Sequence, residues 1–309
     1  MANVCTIQYI NEWIDRDAAG LIAMSEQLYR EKITQLGNRI IASADQKPLL
    51  LLAGPSGSGK TTTALRLEHY LDTHGHETHT VSMDNYFLPE HEGLPVLPNG
   101  KPDYETPKRL DIDLFSEHLK RMAACEPVEI PRFDFTDNSR HPGKVLARKP
   151  GEIVIFEGIH ALNPMVTGSA QQYANRLYIS VRTHIQAEEN MRMHPSKIRL
   201  ARRLLRDKRT RGRSPQMILE QFASVSAGER KYVHPFKNEA DFEIDTLFFY
   251  ELSVYRDLLL PDLRRLADAG SEHCAELVCF LEKLKPLSAE LVPKDAMIRE
   301  FIGGGDFEY

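Results

Sequence analysis

Leu49-Leu50-Leu51-Leu52-Ala53-Gly54-Pro55-Ser56-Gly57-Ser58-Gly59-Lys60-Thr61, continuing into Thr62-Thr63-Ala64-Leu65-Arg66-Leu67, is the stretch that decides how this chain folds. An apolar run of strand length leads into G-x-x-x-x-G-K-[ST], and a helix-like segment follows. The glycines let successive backbone N–H groups turn toward one point, and the positive end of the following helix dipole adds to them. Gly54 through Thr62 are therefore expected to hold a di- or triphosphate. Lys60 reaches its β- and γ-phosphates in this reading, and the Thr61 hydroxyl ligates Mg²⁺.

Outward from this loop the chain alternates strand-like and helix-like segments, which predicts a mostly parallel sheet of five strands with helices on both faces. The expected strands are Leu49–Ala53, Thr78–Met83, Ile153–Glu157, Arg176–Val181 and Ala240–Leu247. Helical patterns fall at Ala18–Ala44, Thr61–Thr73, Ile112–Ala124, Ser196–Thr210, Pro215–Tyr232, Glu251–Ala269 and Glu272–Leu284. Leu88–Asp111 and Asp134–Gly151 are rich in Pro, Gly and charge and read as long loops of the kind that are functional or disordered. Residues 1–46 precede the first core strand and read as an added helical segment. Residues 47–260 read as the central domain and 261–309 as a helical extension.

The chain has 309 residues, 42% of them hydrophobic, with a formal net charge of −5. That balance argues against bulk attraction to nucleic acid or anionic membrane, so any basic site must be local. Cys5, Cys125, Cys274 and Cys279 lack C-x-x-C spacing and predict reduced thiols rather than a zinc site or a disulfide framework. The apolar runs are far shorter than about 18 residues and the N-terminus carries no signal-like pattern, so a cytoplasmic protein is expected.

Two strand ends offer acids to a phosphate site. Ile153-Val154-Ile155-Phe156 ends in Glu157, which reads as a metal-side carboxylate at the carboxyl edge of the sheet. Thr80-Val81-Ser82-Met83 ends in Asp84, which reads as the base for a substrate hydroxyl, with a contact to Mg²⁺ through water as a further role. Between Lys197 and Arg213 lies the densest basic run, where Arg202, Arg206, Arg209 and Arg213 share one helical side and Leu200 and Leu204 another. An amphipathic lid that closes guanidinium groups over a transferring phosphoryl group is the expected result, hinged at Gly212.

On these residues the chain resembles the uridine kinase family of P-loop kinases, relatives of phosphoribulokinase. The resemblance covers about residues 48–260. Its D-S-F-Y-like segment matches Asp84-Asn85-Tyr86-Phe87, and N-F-D-H-P matches Asp103-Tyr104-Glu105-Thr106-Pro107. Pro131 to Arg140 matches P-x-Y-D-F-x-x-H-S-R, and Phe156-Glu157-Gly158-Ile159 matches F-E-G-I. Arg202 to Arg213, then Glu220-Gln221, match R-R-x-x-R-D-x-x-x-R-G-R followed by E-Q.

The resemblance implies ATP- and Mg²⁺-dependent phosphorylation of a nucleoside 5′-hydroxyl. Asp84 would be the base, Arg206, Arg211 and Arg213 would serve the phosphates, and Glu105 with Arg203 would grip the ribose. Tyr86, Tyr104, Phe133, Phe135, Asn138 and Gln221 complete the implied substrate contacts. Glu105 stands where the family has aspartate, Phe133 where it has tyrosine and Asn138 where it has histidine. The last two positions read the pyrimidine edge in the family, so altered base choice is expected.

Kinases of other small alcohols, resembling phosphoribulokinase or pantothenate kinase, are the nearest alternative. A nucleotide-binding regulatory module is another, against which Asp84 speaks, and a nucleic-acid-binding ATPase is a third, against which the lack of a wider basic surface speaks. A homo-oligomer is left open. The flanks look like those of longer bacterial relatives in which the kinase follows a threonyl-tRNA-synthetase-like region. No such region fits within 309 residues, so a short form or a fragment is expected.

Overall fold

The computed structural model describes residues 3–89, 94–97, 100 and 102–307, so parts of the expected Leu88–Asp111 loop and both chain ends lie outside the described residues. Ten strands are described: β1 (Val4–Thr6), β2 (Leu49–Ala53), β3 (Thr78–Ser82), β4 (Val128–Asp134), β5 (Ser139–Leu146), β6 (Ile153–Glu157), β7 (Ala174–Ser180), β8 (His184–Glu188), β9 (Met191–Met193) and β10 (Phe242–Asp245). The helices are α1 (Ile7–Ser43), α2 (Lys60–Thr73), α3 (Ile112–Ala123), α4 (Pro164–Thr167), α5 (Pro195–Arg211), α6 (Pro215–Tyr232), α7 (Glu251–Asp268), α8 (Glu272–Lys283) and α9 (Arg299–Ile302).

The central sheet has five strands in the order β10-β7-β2-β6-β3. Every neighbouring pair in it is parallel. These are the five strands the sequence predicts, β2 and β6 with the expected bounds and the others with ends moved by no more than two residues. β2 is buried along its whole length because it is covered on both faces. Leu50 and Leu52 join one apolar cluster with α1, α2, α5, α7 and α8. Leu49, Leu51 and Ala53 join the other, with Phe115, Leu119 and Met122 of α3. The register aligns Leu52 with Glu157, and Glu157 with Ser82, so the phosphate loop, Glu157 and Asp84 leave the sheet at one edge.

Several expectations are corrected. Much of Asp134–Gly151 is strand β5, the second arm of an antiparallel hairpin with β4, and β1, β8 and β9 form a further three-stranded sheet. The first helix begins at Ile7, and its expected start at Ala18 coincides with an internal break. Asp17 leaves helical geometry there (φ −163°, ψ 87°) and caps the next turn by accepting from the Gly20 N–H at 2.8 Å. Helix α7 runs through Pro261, where the C-terminal extension is expected to begin. Both terminal segments bury side chains in the cluster that holds β2: Tyr29, Ile33 and Ile40 from one, Met297, Ile298 and Phe301 from the other. No helix among the described residues is long and apolar enough to cross a membrane.

The lid helix is also more buried than an amphipathic reading implies. Arg202, assigned to the cationic face, has no exposed surface. Its Nε and Nη2 donate to Glu251 at 2.7 and 2.9 Å, Nη1 to the Gly57 carbonyl at 3.1 Å and Nη2 to the Thr246 carbonyl at 2.6 Å. Removing one member of such a pair leaves an uncompensated buried charge. Glu251→Ala is therefore expected to lose about 3–5 kcal/mol in urea unfolding. Truncating the exposed Arg264, which pairs with Glu282 at 2.7 Å, should cost less than about 1 kcal/mol.

Candidate active site

The phosphate loop leaves β2 and enters α2 through two left-handed glycines, Gly57 at φ +75° and Gly59 at φ +86°. Gly59 caps α2, and its carbonyl accepts from the Thr63 N–H at 3.0 Å. A Cβ on Gly54 would stand 2.2 Å from the Ile179 carbonyl oxygen, so the loop is pressed against β7 and only glycine fits. The Ser58 hydroxyl is buried and without a partner in the protein. Left-handed glycines, a helix N-terminus and a spare buried hydroxyl suit a phosphate group.

The outer arm of the loop is held by residues that motif reading missed. Arg199 pairs through both terminal nitrogens with Glu229, each at 2.8 Å, and donates to the Ser56 carbonyl at 2.9 Å. Glu229 in turn accepts from the Ser56 N–H at 2.7 Å. Arg203 donates to the Ser56 hydroxyl at 3.1 Å, which places this expected ribose contact against the phosphate loop.

The expected acids converge beside Lys60. Glu157, buried at the end of β6, has its carboxyl pushed up to about 7 by burial. Lys60 works against that shift and the neighbouring Asp84 charge adds to it. Asp84 lies in the 3-10 turn Met83–Tyr86 that closes β3. Burial raises its carboxyl as well, against Lys60, Arg109, Arg211 and Arg206. Two carboxylates that share a site resist ionising together. Thr61 lies half-buried in the first turn of α2. The hard oxygens of Thr61, Glu157 and Asp84 are of the kind that could hold an Mg²⁺ ion.

From the lid side, Asp207 gathers the arginines. Arg206 donates to it through Nε at 2.9 Å, with Nη2 2.8 Å away, while Arg203 and Arg211 each lie 3.6 Å from it. Burial opposes the charge on Asp207, yet Arg206, Arg211 and Arg203 together hold its carboxyl below the usual range. Gly212, left-handed at φ +59°, ends α5, and Arg213 beyond it donates to Gln221 at 2.8 Å. Two expected site residues thus bind each other.

On the acceptor side, Glu105 has its carboxyl pushed up to about 7 by burial and by Glu229, against Arg203, Lys60 and Arg109. Its stem packs on Gly228, where a Cβ would come within 2.2 Å. A narrow recess opens between Leu88, Leu94, Tyr104, Arg109, Phe133 and Asn138. Phe133 is buried edge-to-face against Phe87 and Phe135, with centroids at 5.6 and 5.1 Å. Phe135 and Tyr104 are exposed. Arg109, missed by the sequence reading, lies 3.9 Å over the Phe87 ring and 5.3 Å over Tyr104. Asn138 has φ +51°, a left-handed turn position that its short amide tolerates.

Tyr86 is placed elsewhere: it is fully buried against Phe115, with its hydroxyl 3.1 Å from His118 Nδ1. The chain turns into the core there because Met83 and Tyr86 face the same apolar cluster. His160 is another residue the sequence reading missed. It is buried near Asp103 and Glu105, and its Nδ1 has no partner within the protein.

Comparison with known proteins shows the family. Residues 49–252 match the pattern described as the Phosphoribulokinase / Uridine kinase family. The uridine kinase of Anoxybacillus flavithermus is 31% identical over 229 residues, covering 73% of this chain and 98% of that protein. The uridine kinase of a Geobacillus species is 29% identical over 229 residues, with the same coverage of 73% and 98%. A solved structure described as a possible uridine kinase from Bacillus stearothermophilus superposes with a TM-score of 0.50 at 15% identity. It covers 70% of this chain and 99% of its own, and supports the fold alone.

The raised carboxyl of Glu157 has a consequence for the free protein. Below about pH 4.5 this group is protonated in folded and unfolded chains alike and contributes no difference. As pH rises toward 7 the unfolded chain ionises first, so stability is lost across that window and levels off above it. Glu157→Gln, which keeps an acceptor for Ser82, should therefore be more stable than the native chain by on the order of 1–3 kcal/mol at pH 8. The gain should shrink toward zero near pH 4.5, as read by urea unfolding across pH.

Proposed function

This chain belongs to the phosphoribulokinase / uridine kinase family, and we propose that it transfers the terminal phosphoryl group of ATP to the 5′-hydroxyl of a nucleoside or nucleoside-like alcohol. The observation that carries this reading is the position of Asp84, in the turn that follows β3 at the sheet edge where Glu157 and the phosphate loop also emerge, within the electrostatic reach of Lys60, Arg109, Arg211 and Arg206. A nucleotide sensor has no use for an acid so placed, whereas a kinase needs one to take the proton of the attacking hydroxyl. ATP and free nucleosides are cytoplasmic metabolites, and the reading puts the enzyme in that compartment.

Phosphoryl transfer is mostly positioning and charge stabilisation, and the residues divide the work accordingly. The amides of Gly57 to Thr61 cradle the phosphates and Lys60 sets its charge on the bridging region. Thr61 and Glu157, with Asp84 nearby, would hold a Mg²⁺ ion, whose contribution when bound is to neutralise charge on the phosphate oxygens. Arg206 and Arg211 face the transferring group from the lid, and Arg213 with Gln221 closes the far side. Glu105 and Arg203 orient the acceptor so that its hydroxyl meets Asp84. Asp84 accepts that proton as the acceptor oxygen bonds to phosphorus and the bond to the leaving diphosphate breaks.

The acceptor's base remains the finer question, and the recess favours an answer away from a plain pyrimidine. Phe133 offers no hydroxyl, Asn138 offers an amide in place of an imidazole, and Arg109 adds a cation to the same wall. These three residues also support a second reading, in which the acceptor is another small alcohol of the kind taken by phosphoribulokinase- or pantothenate-kinase-like enzymes.

Asp84→Asn is expected to lower kcat by roughly 10²–10⁴ while ATP affinity, read by calorimetry, changes far less. Loss of ATP binding without a specific loss of kcat would make Asp84 structural. ADP release measured across nucleosides, ribulose 5-phosphate and pantothenate should rank uridine and cytidine low. Phe133→Tyr combined with Asn138→His should raise both, since histidine also tolerates a left-handed backbone. A native kcat/KM for uridine or cytidine well above all other acceptors would return the plain family substrate.

A further inference from the structure

The C-terminal segment lies outside residues 49–252, yet it reaches the phosphate site. Ala296, Met297, Ile298 and Phe301 have no exposed surface. The Met297 sulfur would stand 2.7 Å from a Cβ on Gly59, so it rests directly on the last glycine of the phosphate loop. One turn later, the buried Glu300 accepts from the Thr62 hydroxyl at 2.6 Å. Its other oxygen lies 3.8 Å from Arg206 Nη1, and its backbone carbonyl accepts from Arg209 Nη2 at 3.0 Å. One side chain therefore joins the first turn of α2, two residues past Lys60, to the lid helix.

A buried carboxylate persists where it is paired, and the partners of Glu300 are a phosphate-loop hydroxyl and a lid guanidinium. Asp207 engages Nε and Nη2 of Arg206 from one side, and Glu300 stands at Nη1 on another. Carboxylates on two edges fix the plane of a guanidinium whose free side chain would sample many rotamers. Charge stabilisation of a transition state depends on donors held in place beforehand.

We propose that Glu300 is a positioning residue for phosphoryl transfer: it orients Arg206 toward the terminal phosphate and locks the lid helix to the phosphate-loop helix. The proposal rests on the kinase reading above, in which Arg206 serves that phosphate.

Glu300→Gln in the full chain is the test, because it keeps length and an acceptor for Thr62 while removing the charge opposite Arg206. Calorimetry with Mg·ADP and with Mg·AMP-PNP separates the terminal phosphate from the rest of the nucleotide. Affinity for Mg·ADP should stay within about 2-fold, while that for Mg·AMP-PNP should fall about 5–10-fold. With the best acceptor, kcat should fall by about 10-fold with little change in acceptor KM, the pattern of a contact made mainly in the transition state. In an Arg206→Ala background the same substitution should add nothing.

A merely structural role would lower Tm and weaken both nucleotides together, and that result overturns the proposal. Unchanged AMP-PNP affinity and kcat overturn it as well. Tighter binding with faster turnover overturns it too, by marking the carboxylate as an obstruction. Should Glu300→Gln fail to fold, Glu300→Asp, which keeps the charge but draws it back by one methylene, should show the same selective loss. If no acceptor releases ADP even from the native chain, the kinase reading fails. The AMP-PNP to ADP comparison still decides on Glu300 then, because it needs no transfer.

Discussion

A loop that points its amides inward must point its carbonyls outward, and those carbonyls need donors if they are not to be buried unpaired. This constraint organises the molecule. The Ser56 carbonyl is taken by Arg199 at 2.9 Å, that of Gly57 by Arg202 at 3.1 Å and that of Ser58 by the Thr246 hydroxyl at 2.9 Å. Two of the donors are arginines on α5 and the third follows β10, so the loop's geometry depends on elements more than 140 residues away in sequence. Each arginine requires its own buried acid, Glu229 for Arg199 and Glu251 for Arg202. Phosphate binding and the packing of α5, α6 and α7 are one network.

That network limits what the lid can do. The first part of α5 is immobilised by Arg199, Arg202 and Arg203, all buried, and Asp207 sits at the end of this anchored portion. Beyond it Lys208, Arg209, Thr210, Arg211 and Gly212 are exposed. Arg206, half-buried, stands at the boundary between the buried and the exposed parts of the helix. A cation that must be in place before transfer belongs on the fixed side, where reorganisation is least.

How much of this was legible in the sequence follows from burial and from covalent pattern. β2 and, up to its terminal Glu157, β6 are unbroken apolar runs, and a run of that length between turn residues leaves few alternatives. β5, by contrast, carries Ser139, Arg140, His141, Pro142, Gly143 and Lys144 on a mostly exposed arm, and its pairing with β4 is fixed by the partner rather than by its own residues. The phosphate loop, Asp84 and Glu157 announce themselves because their chemistry is tied to fixed spacing. Glu229, Glu251 and Glu300 do not, since an acid within a helical pattern is ordinarily solvated. Only the tertiary fold brings each against an arginine. Tyr86 shows the reverse case: its motif position points to the site, while the turn after β3 sends its ring into the core.

Helix α2 shows why the segments outside the family-matched residues belong to the same machine. On its first two turns Thr62 donates to Glu300 at 2.6 Å, and the Thr63 hydroxyl meets Tyr29 of α1 at 2.7 Å. Arg66 lies 3.5 Å from Glu26 of α1 and 3.3 Å from Asp295. The N-terminal helix and the C-terminal segment thus grip the phosphate-loop helix from two sides, one turn beyond the lysine. The N-terminus of a helix stabilises an anion only as well as its direction is kept, because the favourable field falls off within the first turn. A clamp at this point holds that direction, with Met297 against Gly59 as its approach to the loop itself.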